Sequence, residues 1–190
     1  MRPMFRRLAT ITGTAAALVA FIAPATASAG VLQAAADACP TLGPVGQYFS
    51  KYGDNANYQL LPGGAFDSGA QWSLEHAQVN DNALAFDRGG SATSPEFCAT
   101  VDHPTLRFFA RGDGDVGKVE LLWTDDAGVE RTKGVGMFMA GRSWAPAAPM
   151  QLSSVLGLVA GDIVAVRLRI TAVTSDLQVD DVYVDPARAR

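Results

Sequence analysis

The side chains able to do chemistry in this chain are few and widely spaced. Among 190 residues there are 2 cysteines and 2 histidines, against 19 acids and 15 lysines and arginines. Cys39 and Cys98 form an even pair, which in an exported chain reads as one disulfide rather than two separate buried thiols. Closing a loop of that size stabilises a fold by about 3–4 kcal/mol in the chain-entropy account. A structural zinc site takes about four ligands, and His76 and His103 stand at no metal-ligand spacing from the cysteines or from each other. Asp102 and His103 are neighbours, so in extended chain they point to opposite sides and make a poor orienting pair for a serine nucleophile. A glycosidase asks for two carboxylates about 5–10 Å apart across a cleft, a spacing that 19 acids meet by chance. Asp113, Asp115, Asp125 and Asp126 read as hairpin-turn residues. The adhesion-type tripeptide Arg111-Gly112-Asp113 falls where a turn is expected anyway. With no catalytic constellation visible, the expectation is a domain that binds and does not catalyse.

One carboxylate pair is unusual in its setting. Leu177 and Val179 share one face of an extended segment, while Val182 and Val184 share the other, so the alternation slips at Asp180-Asp181. Either a β-bulge resets the phase, or Asp181 points inward. An inward carboxylate needs a cation or several backbone N–H donors, and a hard cation with oxygen ligands fits. The alternative is a bulge with both carboxylates bonded to backbone or water.

The aromatics offer a second chemistry, because flat rings stack on the C–H faces of sugars. Trp123 falls on the apolar face of its segment and Trp72 opens another, so both read as core or edge. Trp144, between Ser143 and Pro146 in a loop-like stretch, is the candidate exposed indole. Phe109 lies on a polar face between Arg107 and Arg111. With Arg167 and Arg169 on another strand's polar face, it could line a ligand groove. The competing reading is that a second sheet or a crossing loop covers that face and acids pair the arginines.

The elements that must position these groups are short strands. In Thr105 to Arg111, Leu106, Phe108 and Ala110 alternate with polar neighbours. Val119, Leu121 and Trp123 do so in Lys118 to Thr124, and Val164, Val166, Leu168 and Ile170 in Ile163 to Thr171. A two-residue period means half-buried strands. Gly112-Asp113-Gly114 and Asp125-Asp126-Ala127-Gly128 supply turns between them. Helix is scarce: Ser153 to Val159 allows about two turns at most, with Gly161 as its end. Many short strands with regular punctuation predict an all-β, antiparallel β-sandwich.

Residues 1–29 read as a cleaved secretory signal peptide. Arg2, Arg6 and Arg7 form a basic start, Leu8 to Ala23 an apolar or small stretch, and Ala27-Ser28-Ala29 a small-residue cleavage site. The rival reading is a retained membrane anchor, for which the apolar stretch is short. Residues 30–38 read as a flexible lead-in and 39–190 as a single domain. The leader holds three arginines and no acid, so the exported chain is more acidic than the net charge of −4 for the whole sequence. That balance argues against nucleic acid, whose phosphates need cations, and against anionic lipid.

Two segments carry a resemblance. They are Leu61-Pro62-Gly63-Gly64-Ala65-Phe66-Asp67, with Trp72 nearby, and Leu177-Gln178-Val179-Asp180-Asp181-Val182-Tyr183-Val184-Asp185-Pro186. Together they resemble the opening and closing strands of jelly-roll, galactose-binding or carbohydrate-binding-module-like domains. The chain also looks like a family of uncharacterised secreted bacterial proteins. The cues are Ser94-Pro95 before Cys98, Asp102-His103-Pro104-Thr105, Arg107-Phe108-Phe109-Ala110-Arg111-Gly112 and Ser143-Trp144-Ala145-Pro146. The resemblance implies a jelly roll with an extracellular or cell-wall glycan as the leading ligand class. A structural or protein-interaction domain of the cell envelope is the alternative. It also implies a structural calcium where first and last strands meet, held by Asp67 and Asp181 with Asp180 as a further ligand. Asp67 stands where such modules carry Glu, which shortens its reach. No other cofactor is expected.

Overall fold

The structure is a computed structural model that describes residues 39–67, 71–102 and 105–185. Residues 1–38, on which the expected signal peptide and lead-in fall, lie outside the described residues, as do His103, Pro104 and Pro186. The chain forms β1 (Val45–Gly46), β2 (Tyr58–Leu60), β3 (Ser73–Asn80), β4 (Ala83–Thr93), β5 (Phe97–Ala99) and β6 (Thr105–Arg111). Then come β7 (Val116–Thr124), β8 (Glu130–Met139), β9 (Ala145–Pro146), β10 (Met150–Gln151), the single helical turn α1 (Ser153–Leu156), β11 (Val164–Ala172) and β12 (Gln178–Val184). Every strand pairing is antiparallel.

The pairings are nested. Strand β2 pairs with β12, β4 with β11, β6 with β9 and β10, and β7 with β8. Nesting of early with late strands is the wrapped pattern of a jelly roll. In the first sheet β12 lies between β2 and β6. In the second, β11 lies between β4 and β7, and β8 pairs beyond β7. Hydrogen bonding passes from one layer to the other through β4. Leu84 and Ala85 pair with β12, whereas Ser91 to Thr93 pair with β11. The bend between these halves needs a bulge. His76 takes a positive φ of 48° at a register shift in β3. A Cβ on Gly90 opposite it would lie 2.1 Å from the His76 carbonyl oxygen, so only glycine fits that corner.

The alternation read from the sequence places the core. Leu106, Phe108 and Ala110 of β6 and Val179, Val182 and Val184 of β12 meet Val119 and Leu121 of β7 and Val164, Val166, Leu168 and Ile170 of β11. Trp123 packs against this cluster and Trp72 is within it. Pro95 interrupts the ladder between β4 and β5. Ser94 repairs it: its N–H donates to the Leu168 carbonyl (2.8 Å), and its hydroxyl accepts the Leu168 N–H (2.9 Å). Cys39 and Cys98 are disulfide-bonded, with Cα atoms 5.5 Å apart, which ties the start of the described chain to β5. Two local readings change. The segment Gly112–Asp115 joins strands of different sheets and is a corner of the sandwich rather than a hairpin turn. The helix ends earlier than expected, because Gly157 rather than Gly161 takes the left-handed cap, with φ 68°.

Candidate functional site

The outer face of the first sheet divides into a covered part and an open part. The covered part carries Arg107 and Phe109. The segment between β1 and β2 folds over it with a 3-10 turn at Ser50–Tyr52. Phe49 is buried there, its ring 5.1 Å from Phe109 and 4.8 Å from Tyr58, and Tyr48 stacks on Tyr183 at 4.5 Å. Arg107 is 8% exposed. Its guanidinium lies 4.5 Å over the Phe49 ring, its Nε donates to the Ala147 carbonyl (3.0 Å), and it pairs with Asp54. Burial pushes the Asp54 carboxyl up. The Ala56 N–H, the Tyr58 hydroxyl and the Arg107 guanidinium more than offset this and hold it below its ordinary value. The groove expected around Arg107 and Phe109 is therefore filled by the chain's own aromatic segment.

Arg167 and Arg169 do not join Phe109 either. They project from β11 on the outer face of the second sheet, across the sandwich. Arg167 pairs with Glu130, and Arg169 Nη2 lies 2.9 Å from Glu120, which also takes Lys118 at 2.9 Å. Residues on opposite outer faces cannot line one groove, so this expectation is corrected. The crossing loop and the arginine–acid pairs of the competing reading are what the fold contains.

The open part carries a row of residues set by register. Gln78 of β3 pairs with Ala85 of β4, Ala85 with Gln178 of β12, and Gln178 with Arg111 at the end of β6. Directly paired residues point the same way, so these side chains share the outer face. Arg111 Nε donates to Gln178 Oε1 (3.1 Å), and the Arg111 guanidinium lies 4.9 Å from the centre of the Trp144 ring. Trp144, which precedes β9, is half-buried. Small Ala85 leaves the row hollow at its middle. Two adjoining depressions of about 170 Å³ each lie there, both lined by Gln78, Ala85 and Asp87. Asp176 and Gln178 border one and His76 the other. The site thus offers amides, carboxylates and a guanidinium at one level, with an indole at the end.

Sequence reasoning picked out Trp144 but missed Gln78, Ala85, Asp87, Arg111 and Gln178 as a group. The available signal was weak. Arg111 and Gln178 stood on the polar side of their strands, where solvated residues are the rule.

The acids of the opening and closing segments do meet. The Leu61 N–H donates to the Val182 carbonyl (2.9 Å) and the Val182 N–H to the Gly64 carbonyl (3.0 Å). A Cβ on Gly64 would sit 2.8 Å from the Val182 oxygen, so the glycine permits this approach. Strand β12 bulges between Asp180 and Tyr183, and Asp181 takes φ 50°. Burial raises the Asp180 carboxyl to about 6, helped by the charges of Asp181 and Asp67 and opposed by the Asp181 N–H. Asp181 is also raised, by burial and then by Asp67, against a hydrogen bond from Tyr183. Among the described residues no three His, Cys, Asp or Glu side chains are arranged to hold a metal ion. As arranged, Asp67, Asp180 and Asp181 repel one another without forming a calcium cage, and Asp180 Oδ1 is engaged by the Asp181 N–H at 2.7 Å.

The chain is similar to several solved carbohydrate-binding modules. One is the C-terminal family 6 module of a marine laminarinase from Zobellia galactanivorans: 8% identity, TM-score 0.43, covering 68% of this chain and 99% of that one. Another is a xylan-binding family 22 module from Paenibacillus barcinonensis: 8% identity, TM-score 0.45, covering 66% of this chain and 93% of that one. A variant of a family 29 carbohydrate-binding module gives 14% identity and TM-score 0.42, covering 68% and 91%. The likeness at these values goes no further than the general layout of strands, and the jelly roll is defined by its own pairings. No protein-family model matches the chain, and no curated protein matches it. Among the described residues no helix is long and apolar enough to cross a membrane.

Proposed function

We propose that this chain is an exported, non-catalytic domain that binds a glycan of the extracellular space or cell wall. The site is the open part of the first sheet's outer face. The observation that carries the reading is the row from Gln78 through Ala85, Gln178 and Arg111 to Trp144. Each sugar hydroxyl is both a hydrogen-bond donor and an acceptor. Planar amides and a guanidinium in a row answer such groups, while an indole takes the apolar ring face. Ala85 makes room for the ring between polar neighbours.

The test is a glycan array with residues 30–190, followed by calorimetry on any ligand found. Trp144→Ala and Gln178→Ala should each weaken binding by at least about tenfold, or about 1.4 kcal/mol. Neither should alter the unfolding midpoint beyond a surface-level change. A folded, disulfide-bonded protein that binds no glycan would overturn the reading. So would binding that both variants leave unchanged, because that would place the site elsewhere.

A further inference from the structure

The charges that face the open row are not balanced. In β4 and β12, Ala85 pairs with Gln178 and Leu84 with Val179. The Phe86 N–H donates to the Leu177 carbonyl (3.0 Å), which carries the same register one residue further. The next step sets Asp87 opposite Asp176, where the strand pair ends. Both residues are exposed, and both border the depression over Ala85. Asp87 borders the adjoining depression as well.

Stability does not account for this pair. Like charges directly opposite each other on paired strands destabilise a sheet. Among the described residues neither carboxylate accepts a hydrogen bond or pairs with a cation. Asp54, Asp113, Glu120, Asp125 and Glu130, by contrast, each hold an arginine. Arg111 stands on the far side of Gln178, engaged by that amide and by the Trp144 ring. Arg88 follows Asp87 in the chain but borders neither depression. His76 borders the second depression and makes no ion pair with Asp87. A group seated over Ala85 therefore meets the amides of Gln78 and Gln178 and two carboxylates without counter-ions.

We propose that this site selects a glycan with free amino groups, a de-N-acetylated hexosamine chain, and that Asp87 and Asp176 take its ammonium. The inference rests on the glycan reading of this face and names the sugar class. An ammonium carries three donors and no acceptor, and an ionised carboxylate only accepts. Hydrogen bonds between them are charge-assisted and stronger than neutral ones. Gln78 and Gln178 can both donate to and accept from the hydroxyls that flank the amine. An N-acetylated sugar leaves the carboxylates facing an uncharged amide, and a uronate meets charge of its own sign. The chain's net charge of −4 also favours the approach of a cationic polymer.

The probes are a glucosamine oligosaccharide and its N-acetylated counterpart of equal length. Each is titrated calorimetrically into residues 30–190 at about pH 6, where carboxylates are ordinarily ionised and most of the sugar amine is protonated. The amino form should bind at least about fivefold more tightly, a ratio that two exposed charge pairs supply. Added salt should shrink that ratio. Asp87→Asn with Asp176→Asn keeps the shape, since Asn tolerates the positive φ of 63° at Asp176, and should bring the two affinities together without lowering the unfolding midpoint. Glu96→Gln with Asp102→Asn removes the same charge elsewhere and should keep the preference. Equal or tighter binding of the N-acetylated form would overturn the inference, as would a preference that survives in the Asp87 and Asp176 variant or disappears in the Glu96 and Asp102 control. If the array finds other glycans but neither probe binds, the amine inference fails and the glycan reading stands. If no glycan binds, both fail.

Discussion

Replacing Asp180 by Asn separates charge from shape at the point where the chain's last strand bulges. The carboxyl of Asp180 is raised from 3.8 to about 6, first by burial, then by the charges of Asp181 and Asp67. A carboxyl raised on folding binds its proton more tightly in the native state, so it stabilises less as pH rises from about 4 to 6. At pH 7.5 the full penalty applies, and below about 4 it vanishes. At about 1.4 kcal/mol per pH unit, the interval from 3.8 to about 6 gives an upper bound near 3 kcal/mol. Asp180 is only half-buried, and solvent screening reduces this to about 1–2 kcal/mol. Asn keeps an oxygen for the Asp181 N–H and loses the charge. Asp180→Asn should therefore be more stable than the parent by about 1–2 kcal/mol at pH 7.5, a rise of about 2–8 °C in Tm for a domain of this size. The gain should disappear at pH 4. Thermal and urea unfolding in chelator at both pH values measure it. No gain at pH 7.5, or an equal gain at both, would refute the electrostatic argument. Repeating the pair in millimolar calcium tests the cage. A calcium-dependent rise in the parent that Asp180→Asn abolishes would mean that the three carboxylates close on an ion after all.

Other consequences follow from particular contacts. Asp54 works in the opposite direction to Asp180: its carboxyl is held below its ordinary value, so its contribution is present above that value and lost as pH falls. Asp54→Asn should flatten the acid limb of the stability curve. Phe49→Ala, which empties the covered part of the first sheet, should cost about 3–5 kcal/mol and open residues 44–57 to limited proteolysis before the rest unfolds. Gly90→Ala places a Cβ against the His76 carbonyl and should cost at the upper end of about 1–3 kcal/mol, read by urea midpoint. Replacing both Cys39 and Cys98 by serine should cost about 3–4 kcal/mol while leaving the far-ultraviolet circular dichroism of the sandwich unchanged.

Strand periodicity carried the fold because burial repeats every second residue wherever a sheet has one inner face. Strand β11 alternates buried and half-buried from Val164 to Ala172 without interruption, and its sequence says so directly. The slip at Asp180-Asp181 was equally legible, and the structure resolves it as a bulge. Phe109 was harder to read. Its polar flanks, Arg107 and Arg111, look alike in sequence, yet one is locked beneath Phe49 and the other lies open beside Trp144. What separates them is the segment around Phe49, which comes from more than fifty residues earlier and has no periodic signal to announce where it lands.

The row of the proposed site was illegible for a stronger reason. Gln78, Ala85, Arg111, Trp144 and Gln178 come from separate strands or their flanks, and each alone is an ordinary residue of a solvated face. They meet only through register, and a slip of one residue would send any of them to the opposite face. That register depends on irregularities with no simple sequence mark. His76 and Asp181 both take positive φ without being glycine, and each resets the phase of its strand. Upstream of His76, Ser73 to Glu75 pair with the second-sheet half of β4, and downstream Ala77 to Asn80 pair with the first-sheet half. Without the bulge, Gln78 would face the core in place of Ala77 or Val79, and the polar row would lose its end. The corner that lets β4 pass between the sheets is thus also what aims the β3 part of the site. On that reasoning Gly90→Ala should damage glycan binding as well as stability, whereas Gln78→Ala should damage binding alone.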